Sequence, residues 1–244
     1  MQIHALVLFW EYNRGILRLT FLLLLCLTAC ASFPPAPTPP IVNSMPAIHY
    51  LALGDSYTIG ESVDEADRWP NQLAGLLKQE GYATEVTVIA RTGWTTDELW
   101  EGIQAREISP PYDLVSLLIG VNNQYRGREL EEYREQFIFL LNKSIEYAGG
   151  YTDRVIVLSI PDWGVTPFAG GRNASQIALE IDQFNTINRE ESEKAGAHYI
   201  DITPISREAV NDPVLIADDG LHPSGKMYAE WTNLALPIVL EILK

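Results

Sequence analysis

Short apolar runs alternate with longer amphipathic runs from His49 to the C-terminus, and this alternation limits the fold more than any other feature of the chain. Five runs rich in Val, Ile and Leu are typical of strands buried on both faces of a parallel sheet: residues 49–53, 85–90, 114–119, 155–160 and 199–202. Amphipathic runs between them predict helices at residues 69–80, 96–106, 130–148, 176–195 and 223–243. The alternation predicts one α/β domain, a three-layer α/β/α sandwich with a parallel five-stranded sheet.

The N-terminus has the layout of a secretory leader. Residues 19–29 (LTFLLLLCLTA) form an apolar run that is preceded by Arg14 and Arg18 and followed by small residues. Residues 27–30 (LTAC) resemble the lipobox of bacterial lipoproteins, which implies a signal peptide over 1–29 and a lipidated Cys30. We therefore expect an exported lipoprotein, anchored to a membrane through Cys30 on a periplasmic or cell-surface face. An ordinary signal peptide and an uncleaved anchor are the alternatives.

A proline-rich segment follows the leader, and the globular domain follows that segment. Residues 32–40 contain five prolines, which favour an extended spacer over 30–46 and leave 47–244 for the globular domain. The formal net charge of −15 argues against nucleic-acid partners. Cys26 and Cys30 are the two cysteines, so a disulfide framework and a Cys-based zinc site are excluded. Because no metal-ligand spacing occurs either, we expect neither a metal nor a cofactor.

Polar residues follow every predicted strand, at the rim where parallel α/β sheets bind their ligands. These loops carry the sequences GDSY at 54–57, RTGW at 91–94, GVNN at 120–123, PDWG at 161–164 and DDGLHP at 218–223. Together they supply a hydroxyl nucleophile, a base, a carboxylate and candidate oxyanion donors, which is the set that acyl transfer requires. Ser56 is the candidate nucleophile because it follows a buried strand directly and has Gly54 and Gly60 nearby.

Histidine is the natural general base near neutral pH. Outside the leader, the histidines are His49, His198 and His222. The first two stand at the start of predicted strands, so we expect them at the opposite edge of the sheet. His222 lies on the rim with Ser56 and is the candidate base.

A carboxylate precedes His222 at a spacing that suits an orienting partner. Asp219 lies three residues before His222, so one turn of chain brings its carboxylate to the second imidazole nitrogen, where it sets the tautomer. Asp218 is the competing carboxylate. Pro223 fits the first position of the last predicted helix, so we expect His222 to be held at a helix cap.

Amides and aromatic rings complete the rim. The backbone N–H of Gly93 and the side-chain amide of Asn122 are candidate oxyanion donors, with Asn123 as the competing amide. Trp94, Tyr125 and Trp163 are candidate substrate-binding residues, and Phe168 lies on the same rim. Such rings form a platform for a sugar or a wall for an acyl chain, or else they cover the edge of the core.

The ordered blocks GDSY, Gly93, GVNN and DGLHP resemble those of the GDSL esterase/lipase family, the SGNH hydrolases, across 48–244. Tyr57 replaces the leucine of the family motif, and Asn123 stands where aspartate is common. The resemblance implies a flavodoxin-like sheet and a serine hydrolase site. Its implied members are the nucleophile Ser56, the base His222, its partner Asp219, and an oxyanion hole of Ser56 N–H, Gly93 and Asn122.

The resulting hypothesis is a carboxylic ester hydrolase that acts on a small-molecule ester through an acyl-enzyme intermediate. Short to medium acyl groups are expected, including those of acetylated carbohydrates. The alternatives are a lysophospholipase or thioesterase-type lipid hydrolase and a non-catalytic binding lipoprotein that retains the fold. The sequence contains every expected catalytic side chain, which favours an enzyme.

Overall fold

The computed structural model describes residues 47–244, which contain a five-stranded sheet. Its strands are β1 (Ile48–Gly54), β2 (Thr84–Ala90), β3 (Leu114–Leu118), β4 (Val155–Leu158) and β5 (His198–Ile200). All neighbours pair in parallel, in the flavodoxin-like order β2-β1-β3-β4-β5. The predicted fold is thereby confirmed. The expected leader (1–29), spacer (30–46) and lipidation site Cys30 lie outside the described residues.

Burial along the strands matches their positions in the sheet. Every residue of β3 and β4 is buried, and β1 is buried from Tyr50 to Gly54. These are interior strands with helices over both faces, so they consist largely of apolar residues, and the buried Ser116 of β3 is paired with the Tyr50 hydroxyl at 2.8 Å. β2 is an edge strand whose burial alternates along most of its length, and only Ile89 and Ala90 are fully buried.

Helices cover the sheet on its two faces. They are α1 (Ser56–Ile59), α2 (Trp69–Gln79), α3 (Thr96–Gln104), α4 (Val121–Tyr125), α5 (Leu130–Tyr147), α6 (Ala174–Ala195), α7 (Thr203–Arg207) and α8 (Gly225–Ile242). Helix α2 packs along α8, and α5 packs against both α3 and α6. Large buried rings fill these contacts, with Trp69 and Trp231 in the first group and Tyr133 and Phe137 in the second. None of the helices within 47–244 has the length and apolar character to cross a membrane.

The register of the sheet brings three strand ends into line. Gly54 at the end of β1 is paired with Ala90 of β2 on one side and with Leu118 of β3 on the other. The segments that begin at Asp55, Arg91 and Ile119 therefore leave the sheet side by side. This alignment places the predicted rim residues next to one another.

The long predicted helices are observed with ends within two residues of the expected ones. The start of the last helix is corrected. Helix α8 begins at Gly225 because Ser224 caps it, its hydroxyl accepting the Met227 N–H at 3.4 Å. Pro223 instead forms an isolated bridge with Ile216, so it is not the first helical residue. The one-turn helices α4 and α7 were not predicted, since a single turn is too short to show a period.

Candidate active site

Ser56 occupies the tight junction between β1 and α1. Asp55 caps α1 by accepting the Tyr57 N–H at 3.0 Å, and Ser56 is its first helical residue. A first-position N–H has no acceptor within its own helix, so the N–H of Ser56 is available to a ligand. The junction requires glycine at position 54, because a Cβ there would lie 2.4 Å from the carbonyl oxygen of Leu118. The Ser56 side chain faces a cavity.

Asp219 and His222 form a closed, hydrogen-bonded pair. One oxygen of Asp219, Oδ1, accepts the backbone N–H groups of Leu221 and His222, each at 2.9 Å. The other, Oδ2, lies 2.5 Å from His222 Nδ1. This turn, rather than the expected helix cap, holds His222, and the Ala217 N–H also donates to the His222 carbonyl at 2.8 Å. With Nδ1 occupied by the carboxylate, Nε2 is the imidazole nitrogen left for chemistry.

The pKa of Asp219 lies well below its usual range. Partial burial acts to raise it, but hydrogen bonds from the His222 side chain, the His222 and Leu221 backbone N–H groups and the Ser62 hydroxyl outweigh burial. The carboxyl is therefore ionised throughout the neutral range and can stabilise an imidazolium.

The His222 ring is packed as well as hydrogen-bonded. His222 is buried and lines the same cavity as Ser56, and no direct hydrogen bond joins the two side chains in the described structure. Tyr57 presents its ring to His222 in an edge-to-face contact, with centroids 5.5 Å apart. The family motif has leucine at this position, so the sequence departure supplies an aromatic support for the imidazole.

The loop that carries Gly93 is held by two side chains from the region of α4. Gly93 has φ of +85°, a conformation that side chains disfavour. Asn122 donates to the Trp94 carbonyl at 2.9 Å, and Arg126 donates to the Gly93 carbonyl at 2.6 Å. One N–H of the Asn122 amide is thus used for orientation, and its second N–H remains for a substrate oxygen. Arg126 also pairs with Glu98 at 3.0 Å, so it braces this loop.

The competing amide has a different environment. Asn123 is buried, its oxygen accepts the Thr96 N–H at 3.1 Å, and its nitrogen donates to the Thr96 hydroxyl at 2.7 Å. Asn123 therefore joins α4 to the start of α3. Asn122, which lines the cavity, is the amide in position to act on a ligand.

The two asparagines give contrasting predictions. Asn122→Ala is expected to lower kcat about 10²- to 10³-fold, with little change in thermal stability, because it removes an oxyanion donor. Asn123→Ala is expected to lower the free energy of unfolding by about 1–3 kcal/mol, because it leaves the buried Thr96 N–H unsatisfied. Steady-state kinetics and urea denaturation of both variants check this. A loss of kcat in Asn123→Ala, together with a loss of stability in Asn122→Ala, would assign the oxyanion role to Asn123.

Aromatic side chains form one wall of the cavity. Its volume is about 170 Å³, and its lining includes Ser56, His222, Tyr125, Trp163 and Phe168. The Trp163 indole N–H donates to Gln124 at 2.8 Å, which fixes that ring. Two of the three candidate substrate-binding aromatics, Tyr125 and Trp163, thus stand beside the candidate nucleophile.

Trp94 lies elsewhere. Its indole packs directly over Gly102 of α3, where a Cβ would come within 2.0 Å of the ring. The absence of a side chain at Gly102 leaves room for the indole, so the ring turns toward the helix. Trp94 lines a second cavity of about 510 Å³ that shares Thr92 and Gly93 with the first. The expectation that Trp94 forms a wall beside Ser56 is therefore corrected.

The remaining histidines lie where the sequence places them. His198 begins β5, and His49 is the second residue of β1, so both are at the edge of the sheet opposite Ser56. Within residues 47–244, no group of three or more His, Cys, Asp or Glu side chains is arranged to hold a metal ion.

Asp55 combines a structural role with an unusual titration. It is fully buried, and its Oδ2 has no hydrogen-bond partner. Burial raises the pKa of its carboxyl to about 7, although the hydrogen bond from Tyr57 N–H opposes the shift. This carboxyl ionises at a lower pH in the unfolded chain than in the folded protein. The free energy of unfolding therefore falls as the pH rises from about 4 to 7, by up to about 1.4 kcal/mol per pH unit, and levels off at higher pH.

Asp55→Asn should remove this pH dependence, because asparagine keeps the helix cap and does not ionise. We expect the variant to gain stability relative to wild type between pH 4 and pH 7, with no further gain at higher pH. Urea denaturation at several pH values measures the difference, with the exposed Asp64→Asn as control. A wild-type-minus-variant difference that is constant with pH would contradict the assignment.

A model of the GDSL-like lipase/acylhydrolase family matches residues 52–230, a span that runs from β1 into α8 and contains Ser56, Gly93, Asn122, Asp219 and His222. The chain belongs to this family. The matched span carries the sequence blocks that resemble the GDSL/SGNH hydrolases.

Solved structures with the same fold include one described as a G-D-S-L family protein and two described as esterases. A lipolytic protein of the G-D-S-L family from Veillonella parvula DSM 2008 is 19% identical, with a TM-score of 0.59 over 78% of this chain and 97% of the other. The esterase EstA from Pseudoalteromonas sp. is 16% identical (TM-score 0.63; 80% and 98%). The acetylxylan esterase Axe2 from Geobacillus stearothermophilus is 18% identical (TM-score 0.62; 80% and 96%). No curated protein matches the chain significantly.

Proposed function

We propose that the protein is a serine esterase that hydrolyses carboxylic esters of short to medium acyl groups through an acyl-enzyme intermediate. The observation that carries the proposal is that Ser56 and His222 line one cavity, while Asp219 is hydrogen-bonded to His222 Nδ1 and leaves Nε2 as the free imidazole nitrogen. A hydroxyl is a weak nucleophile until a base removes its proton, and this arrangement supplies the base.

In the acylation step, Ser56 Oγ attacks the ester carbonyl carbon and its proton passes to His222 Nε2. The negative charge moves to the carbonyl oxygen, where the N–H groups of Ser56 and Gly93 and the amide of Asn122 donate hydrogen bonds. Asp219 stabilises the imidazolium. Collapse of the tetrahedral intermediate expels the alcohol, which takes the proton from His222. Water, activated by the same imidazole, then attacks the acyl-serine and releases the acid.

The size of the cavity supports a small acyl group. Its volume of about 170 Å³ is below the roughly 300–1,000 Å³ typical of sites for drug-sized ligands. The walls are mostly apolar side chains, including Val121 and Leu221 besides the aromatic rings. An acetylated carbohydrate is one substrate of this kind, and a relative of the same fold, Axe2, is described as an acetylxylan esterase.

Acyl-length preference tests the proposal. Purified protein is assayed with acetyl, butyryl and octanoyl esters of one alcohol and with a lysophospholipid, using Ser56→Ala as the control. We expect kcat/KM to be highest for acetyl or butyryl. Phe168→Ala, which truncates an exposed wall residue, should raise the octanoyl-to-acetyl ratio about tenfold. A preference for lysophospholipid would favour the lipid hydrolase, and no Ser56-dependent hydrolysis at all would favour a binding protein.

We also propose that the esterase domain is tethered to a membrane through Cys30. The support is the order of the sequence: basic flank, apolar run, LTAC, and a proline-rich spacer before the domain. Cys30→Ser should abolish incorporation of labelled palmitate. Unchanged labelling would contradict a lipid anchor at this residue.

A further inference from the structure

Ser62 has a backbone conformation that its residue type disfavours. Its φ is +65°, and the other positive-φ positions within 47–244 are all glycine. The left-handed conformation costs an L-residue about 1–2 kcal/mol relative to its usual regions, whereas glycine adopts it freely. If position 62 served only as a turn, glycine would serve it better. The serine side chain therefore calls for a separate explanation.

The Ser62 hydroxyl contacts the candidate acid–base pair. It donates to Asp219 Oδ2 at 2.7 Å, across 157 residues of sequence. The same oxygen faces His222 Nδ1. Among the described residues, four hydrogen bonds surround the carboxylate, and the one from Ser62 is the only one that comes from outside the 219–222 turn.

The segment that contains Ser62 also connects to the other parts of the site. The N–H groups of Gly60 and Glu61 both donate to the carbonyl of Ser56 at 3.0 Å, so the segment is attached to the nucleophile's own helix. The carboxylate of Glu61 accepts the hydroxyl of Thr92, the neighbour of Gly93. Residues 60–62 thus link the nucleophile, the Gly93 loop and the acid–base turn.

We propose that Ser62 is a positioning residue that fixes the Asp219 carboxylate, and through it the His222 ring, relative to Ser56. The inference rests on the proposed function. Ser62 does not contact the reacting atoms, because its hydroxyl ends on Asp219. Its unfavourable backbone conformation places the hydroxyl where it joins the nucleophile segment to the carboxylate.

Two substitutions separate the hydroxyl from the backbone. Ser62→Gly removes the hydroxyl and relieves the strain, whereas Ser62→Ala removes the hydroxyl and keeps the strain. We expect both to lower kcat about tenfold with KM little changed, as for loss of one exposed hydrogen bond to a charged group. The glycine variant should at the same time melt at or above the wild-type temperature. Full kcat in Ser62→Gly, with a loss confined to Ser62→Ala, would overturn the proposal.

A second readout does not depend on turnover. The proton between His222 Nδ1 and Asp219 is expected to give a low-field proton NMR signal, which should broaden in Ser62→Gly as the carboxylate loses its external hydrogen bond. An unchanged signal would also overturn the proposal.

The Ser56→Ala variant separates failure of the positioning role from failure of the proposed function. If Ser56→Ala keeps the hydrolytic activity, the proposed esterase mechanism is wrong. If the activity depends on Ser56 but the Ser62 variants are fully active, only the positioning role is refuted.

Discussion

Replacement of Ser56 by alanine is expected to lower kcat for ester hydrolysis by about 10⁴- to 10⁶-fold, the range typical of removing the nucleophile from a serine–histidine pair. The loss is large because the variant lacks the proposed nucleophile: the acyl-enzyme cannot form, and only the oxyanion donors and binding remain. The substitution removes a single oxygen at the cavity surface, so the fold should persist. Burst kinetics with an activated acetyl ester measure acylation directly.

Two controls make the Ser56 result specific. His222→Ala should lower kcat to a similar extent, and the double variant should be no worse than either single variant, because the two residues act as a unit. A fluorophosphonate probe should label wild-type protein and leave Ser56→Ala unlabelled. Tryptophan fluorescence verifies that each variant is folded. Labelling that survives in folded Ser56→Ala protein would show that the nucleophile lies elsewhere.

The sheet could be predicted from sequence because its interior strands leave a local signal. β3 and β4 are buried throughout, so all their residues except Ser116 are apolar, and each strand leads into a polar loop. Parallel pairing then forces the ends of neighbouring strands onto one rim. The alignment of the strand ends brings Ser56, Gly93 and Asn122 together. It can therefore be predicted without knowing any individual side-chain contact.

Features that depend on contacts distant in sequence could not be predicted. Ser62 reaches Asp219 from 157 residues away, and its strained backbone has no signature in the neighbouring residues. Arg126 lies 33 residues beyond Gly93 in the sequence, and its guanidinium donates to the Gly93 carbonyl. Even the contact of Trp94 with Gly102, eight residues further on in α3, depends on how the loop packs against that helix. Each outcome was decided by packing between elements.

The first residue of α8 was predicted wrongly, although the residues that decide it are adjacent in the sequence. Pro223 is suited to a first helical position, and Ser224 is suited to a cap, so two adjacent residues offered competing starts. Ser224 caps the helix, and Pro223 instead forms an isolated β-bridge with Ile216. As a result, His222 is held by the Asp219 turn and by Ala217 rather than by a helix, which makes the orientation of its ring depend on Asp219.

That dependence predicts a large effect for Asp219→Asn. The amide matches the carboxylate in size, so the backbone N–H groups of Leu221 and His222 can still donate to its oxygen. Its NH₂ group then faces His222 Nδ1, which must become an acceptor, and the ring proton moves to Nε2. A protonated Nε2 cannot take the proton of Ser56. We expect kcat at neutral pH to fall about 10⁴-fold, as when a triad carboxylate is replaced by its amide.

Asp218→Asn is the matched control for this prediction, because it makes the same change of charge at the adjacent residue and leaves the Asp219–His222 hydrogen bond in place. Its kcat should stay near the wild-type value. If loss of a negative charge near the imidazole were enough to slow catalysis, kcat would fall by a similar factor in both variants, because neighbouring carboxylates have similar long-range effects on a nearby cation. A loss confined to Asp219→Asn assigns the effect to the tautomer, and a larger loss in Asp218→Asn would make Asp218 the orienting carboxylate.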